Sequence, residues 1–130
     1  MLMTPRLPST SRSLPIALLR ARERVMEPIR NLLSDSDLTE QQWRVLRVVQ
    51  ESGAIDPTQI SDQACLLLPS LTRRMQKLDE KGLISRTRDQ VDRRRQVIRI
   101  TAAGEKIIDA NMAASLAIVT RTREKMGEER

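Results

Sequence analysis

Two short stretches of this chain hold side chains whose types and spacing suit contact with a polyanion. In the first, Pro69, Ser70, Thr72, Arg73, Gln76 and Lys77 recur at helical intervals. A guanidinium matches the paired acceptors of guanine and a carboxamide matches adenine, so Arg73 and Gln76 are the candidates for base edges. Ser70, Thr72 and Lys77 suit phosphate oxygens, which position a protein without reading sequence. In the second, Asp92 precedes Arg93, Arg94 and Arg95. Adjacent guanidiniums repel one another, whereas a narrow, negatively charged minor groove favours an inserted arginine. Asp92 is expected to orient these arginines, because a carboxylate near phosphate is unfavourable.

Charge supports this reading by its location. Between Pro69 and Thr101 there are 10 Lys or Arg against 4 Asp or Glu, while the rest of the 130-residue chain holds 13 of each. A local basic surface of this kind is the footprint expected of duplex DNA binding. The plainer alternative for the helix alone is a solvated basic face. One cysteine, no histidine and no tyrosine leave no imidazole for proton transfer and no zinc ligand set, so neither a catalytic residue nor a metal or cofactor is expected. The longest apolar stretch, Ala64 to Leu68, cannot span a bilayer. Residues 1–12 lack the apolar block of a secretory signal and read as a mobile arm, which makes the chain cytoplasmic by expectation, with no membrane partner.

The elements that would position these residues are legible from caps and periodicity. Ser13 caps a long helix to about Ser34 in which Pro28 predicts a kink or break. Thr39 and Gln42 form a capping box ahead of Trp43, Leu46 and Val49, and Gly53 ends that helix. Asp56, Pro57 and Gln59 repeat the signal for a two-turn helix through Ile60 and Ala64. A turn then leads to a helix opened by Pro69 and closed by Gly82, with Leu71, Met75 and Leu78 facing inward. Such a pair is a helix-turn-helix. Leu83 to Arg88 and Gln96 to Thr101 alternate as the arms of a hairpin, with Ile84 and Val97 on the core side, joined there by Ile98 or Ile100. Thr101 caps a last helix carrying Ile107, Ile108, Met112, Leu116 and Val119.

The blocks Leu38 to Leu46, Ala64 to Thr72, Gly82 to Ile84 and Asp92 to Arg94 resemble the MarR family of winged-helix regulators. The Ala-Cys-Leu-Leu-x-Pro-Ser-Leu block, with Ala21-Arg22-Glu23, is similar to the branch that controls homoprotocatechuate and hydroxyphenylacetate catabolism. The resemblance implies a mainly α fold, a winged helix-turn-helix with a small β-hairpin wing and terminal dimerisation helices. It places one domain over residues 13–130, with 13–37 and 102–130 pairing two copies and 38–101 reading DNA. It further implies a homodimeric repressor on a near-palindromic operator, released by a small aromatic acid. In that branch the positions of Ser13, Trp43 and Arg47 belong to the effector pocket. From the residues alone, Trp43 and Arg47 lie four apart on one helix face, so a ring and its carboxylate fit them; the pair by itself favours the plainer reading, a core tryptophan covered by a surface arginine.

Two departures qualify what the resemblance implies. The branch offers a tyrosine from the helix after the wing, where this chain reads Leu116-Ala117-Ile118-Val119, and a further C-terminal helix, which is not seen before Arg130. Either the chain is truncated or dimerisation rests on the first and last helices, and without the tyrosine a phenolic hydroxyl on the ligand lacks that partner, which leaves room for an inducer other than hydroxyphenylacetate. Cys65 raises a redox-sensing alternative; its apolar run favours inert, buried packing. A ligand-independent nucleic-acid-binding module is the remaining alternative.

Overall fold

The computed structural model describes residues 5–127. The first four residues of the expected N-terminal arm, and the last three of the expected dimerisation segment 102–130, lie outside the described residues. A single 3-10 turn at Thr10–Arg12 precedes α1 (Leu14–Ser34), followed by α2 (Glu40–Ser52), α3 (Pro57–Ala64), α4 (Leu68–Glu80), β1 (Ile84–Arg88), β2 (Gln96–Ile100) and α5 (Ala102–Met126). Both capping boxes form: Thr39 and Gln42 exchange backbone and side-chain hydrogen bonds at 3.1 Å, and Asp56 and Gln59 do so at 3.2 and 2.8 Å. Thr101 caps α5 through the Gly104 N–H. Ser13 occupies the cap position of α1, but its side chain makes no capping bond.

The core is a contiguous set of apolar residues drawn from helices and wing: Leu33, Val45, Leu46, Val49, Ile60, Leu71, Leu78 and Ile98 are fully enclosed. Leu71, Met75 and Leu78 seat α4 against α2 and α3, as the period of its apolar residues requires. The strands pair antiparallel in the register Ile84↔Ile100, Arg86↔Ile98, Arg88↔Gln96. On the other edge of β2, Ile55 and Ile98 exchange backbone hydrogen bonds at 3.1 and 2.8 Å, so the α2–α3 linker extends the hairpin by one short rung.

Two expectations are corrected. Of the kink or break expected at Pro28, the break does not occur: α1 runs unbroken to Ser34. Pro28 and Arg24 are exposed, so the carbonyl that loses its partner faces water. Val97 does not serve the core; Ile98 does, fully buried, with Ile84 and Ile100 on its face. Successive strand residues point to opposite faces, and the face that carries Ile98 is the one packed against the helices.

Side-chain links join the helices at either end of the chain to the body. Arg22 grips Glu40 at the start of α2 with two hydrogen bonds of 3.2 and 2.8 Å, and Arg30 grips Glu23 at 3.4 and 2.7 Å. Asn111 of α5, buried, donates to Ser36 Oγ at 3.0 Å and to the Ile107 carbonyl at 2.9 Å. The remainder of α1 and α5 leaves Leu14, Leu18, Leu19, Leu116 and Val119 exposed.

Candidate nucleic-acid interface

α3 and α4 are joined through Cys65, Leu66 and Leu67, and the turn is held by Ser61, whose hydroxyl donates to the Leu66 carbonyl. Cys65 closes α3 in the left-handed conformation (φ 54°) and is exposed, which corrects the expectation of a buried thiol. The apolar neighbours mislead here: Leu67 and Leu68 of the same run are themselves exposed.

With Leu71, Met75 and Leu78 buried, α4 presents Pro69, Thr72, Arg73, Gln76 and Lys77 to solvent, and Ser70 lies half-buried in the first turn. These side chains are not equally available. The Thr72 hydroxyl donates to the Leu68 carbonyl at 2.9 Å and is already committed as a donor. Glu80 accepts from Gln76 at 3.4 Å and pairs with Lys77 at 3.6 Å. Arg73 has no carboxylate within 4 Å among the described residues. Arg74, which sequence reading passes over because it borders the buried stripe, also lacks an acidic partner there, and its Nε is enclosed without a hydrogen bond. Its helical offset from Leu71 marks it as a flank position, and that offset is the signal that could have found it.

In the wing, Asp92 accepts from the Arg94 backbone N–H at 3.1 Å and approaches its Nε at 3.5 Å, so Asp92 orients Arg94. The Arg94 side chain is 95% exposed. Arg88 donates to the Arg93 carbonyl at 2.9 Å, and Asp89 accepts from the Val91 N–H at 2.9 Å, stiffening the loop. Arg93 itself extends into solvent. Arg95 behaves differently: its guanidinium donates to Asp56 Oδ2 at 3.0 Å, at the start of α3. The three wing arginines, all read as DNA contacts, therefore differ in their surroundings. A carboxylate distant in sequence removes one of them from the free tip. Elsewhere in the basic segment, Arg86 is paired with Asp79 at 2.8 Å and Lys81 with Asp37 at 3.5 Å. Within residues 69–101, the cations left without an acidic partner among the described residues are Arg73, Arg74, Arg88, Arg93 and Arg99. They sit on α4 and the hairpin, the two parts a duplex would meet.

The third group is split. Trp43 is buried in the core at 9% exposure. Arg47, half-buried on the same helix, donates to Gln50 Oε1 at 3.3 Å and Glu51 Oε1 at 3.0 Å. Ser13 is half-buried at the head of α1, with no hydrogen bond to either residue among those described.

A helix pair with an outward basic face, backed by an arginine-tipped hairpin, defines a winged helix-turn-helix protein. The sequence profile of the MarR family matches residues 38–95. The HTH-type transcriptional regulator FarR of Neisseria gonorrhoeae is 38% identical over 97 residues, covering 75% of this chain and 66% of the relative. The homoprotocatechuate degradative operon repressor of Escherichia coli is 39% identical over 95 residues, covering 73% of this chain and 64% of the relative. The match therefore spans just under two thirds of these curated relatives. The crystal structure of NadR in complex with 4-hydroxyphenylacetate superposes with a TM-score of 0.79 at 32% identity, covering 99% of this chain and 89% of that one. The chain belongs to the MarR family, a family of transcriptional regulators rather than enzymes. Among the described residues no helix is long and apolar enough to cross a membrane.

Proposed function

We propose that this chain is a homodimeric, sequence-specific transcriptional repressor acting on DNA in the cytoplasm and released by a small aromatic carboxylic acid. The observation that carries the reading is the set of cations on α4 and the hairpin that have no acidic partner among the described residues. Two copies would pair through the apolar residues exposed on α1 and α5, with Leu14 70% and Leu18 63% exposed in the single chain. Residues 13–37 and 102–130 then form the dimerisation part and 38–101 the reading head. The recognition helices would enter successive major grooves about 34 Å apart on a near-palindromic operator.

The effector reading draws on the relatives, one a repressor of homoprotocatechuate degradation and another seen with 4-hydroxyphenylacetate. In this chain Arg47 is the carboxylate partner and Trp43 borders the ring, with Ser13 completing the site. Glu51 accepts from Arg47 at 3.0 Å, and the acid would take its place. The ligand shifts the population toward a subunit spacing that does not match the operator.

Release is the test. Trp43 is the only tryptophan, so its fluorescence reports directly on a titration with aromatic acids. A saturable change that also frees bound duplex, weakened about tenfold in Arg47→Ala by loss of a charge-assisted contact, is expected; binding of acids with unchanged duplex affinity would remove them as inducers. Exposure of Cys65 supports a second reading, oxidant-driven release. Peroxide is then expected to release duplex from the parent protein and not from Cys65→Ser, and equal behaviour of the two removes that reading.

A further inference from the structure

We propose that Asp56 is a wing-positioning residue: one carboxylate both caps α3 and fixes, through Arg95, where the arginine tip stands relative to the helix-turn-helix. The inference rests on the DNA-binding reading and adds to it a residue that touches no DNA. An isolated two-stranded hairpin is marginal in water, and this one has only five residue pairs. Its inner end is well held, with Ile84 and Ile98 buried and Arg86 bound to Asp79. The Ile55 rung is made at Ile98, within that held end. Beyond that rung, among the described residues, the hydrogen bond from Arg95 to Asp56 is the side-chain link between residues 89–95 and the helical body.

The geometry makes the link directional. Asp56 Oδ1 accepts from the Gln59 N–H at 2.8 Å while Oδ2 accepts from Arg95 at 3.0 Å, so neither oxygen can rotate away without loss at the other. Asp56 follows Ile55 directly, so the rung and the ion pair bind the same edge of the wing in series. The two groups close one side of a groove of about 560 Å³ that also includes Arg88, Asp92 and Arg94. The carboxylate is 19% exposed and the guanidinium 53% exposed, too open for a large contribution to stability. What the pair supplies is orientation: Arg95 is two residues past Arg93 and adjacent to Arg94, and anchoring it limits the arc the tip can sweep. Sequence reading places Arg95 among the DNA contacts and Asp56 only as a cap; on this proposal both take a positioning role.

The test uses the full chain and a duplex enriched by selection from a random pool. Asp56→Asn keeps a good capping oxygen and removes the charge. Arg95→Gln removes the other partner, and the double variant closes the cycle. Each single change is expected to weaken the selected duplex about tenfold, and the double no further than either one. Asp56→Asn keeps its Tm within a few degrees, and in its background Arg94→Ala costs much less than in the parent. An unchanged affinity in Asp56→Asn together with a loss in Arg95→Gln would make Arg95 a direct DNA contact and overturn the proposal. Additive losses in the double variant would overturn it as well. Failure to enrich any duplex would instead strike the DNA-binding reading itself.

Discussion

Replacing Gly104 by alanine is expected to destabilise the fold by about 3 kcal/mol, a drop of roughly 10 °C in Tm on thermal unfolding. A Cβ at this position would lie 2.3 Å from the Leu83 carbonyl oxygen and 2.6 Å from Ile100 Cγ1. Side chains at chain ends yield to such pressure, but the Leu83 carbonyl belongs to the backbone and accepts the Thr101 N–H at 3.1 Å. Relief therefore means moving the start of α5 away from the base of the wing, at the point where Thr101 caps the helix and Ile100 pairs with Ile84. Alanine's better helix propensity returns only about 1 kcal/mol. Gly82 supplies the comparison: its φ is 73° and a methyl group there would meet nothing within 4 Å, so Gly82→Ala costs only the left-handed backbone strain, about 1 kcal/mol. Equal losses in the two variants would show that α5 can shift freely.

Arg73→Ala is expected to weaken the preferred duplex by about 2 kcal/mol per half-site, roughly thirtyfold, and random duplex much less. Arg73 is exposed on α4, between Pro69 and Gln76 on the face opposite Leu71, and no carboxylate among the described residues competes for it. Lys77→Ala provides the contrast. Its ammonium already has Glu80 at 3.6 Å, and as a phosphate contact it should lower affinity for all duplexes alike and reduce the salt slope by about one. Titration of both variants against selected and scrambled duplexes at two salt concentrations separates the roles. A loss for Arg73→Ala that is equal on both duplexes would demote it to a phosphate contact.

Much of the reading head is local in origin and was legible. Thr39 with Gln42, and Asp56 with Gln59, satisfy their own helix starts within four residues. The buried stripe of α4 follows from helical period alone, and it determines by exclusion which side chains face outward. The wing was legible as a hairpin but not as a placed object. Strand alternation names two faces without saying which is enclosed; packing of β2 against α2 and α3 buried Ile98 rather than Val97. Pro28 predicts a lost hydrogen bond, yet its consequence depends on whether water reaches the orphaned carbonyl.

The sequence by itself determined the helix boundaries, the capping residues, the concentration of positive charge in residues 69–101 and the outward set on α4, because each depends on neighbours within about one helical turn. The tertiary structure alone decided which cations are spent internally. Asp56 meets Arg95 across 39 positions, Arg22 meets Glu40 across 18, and Lys81 meets Asp37 across 44. A charge neutralised by a distant partner looks the same in the chain as one left free, and only folding brings the partner within reach.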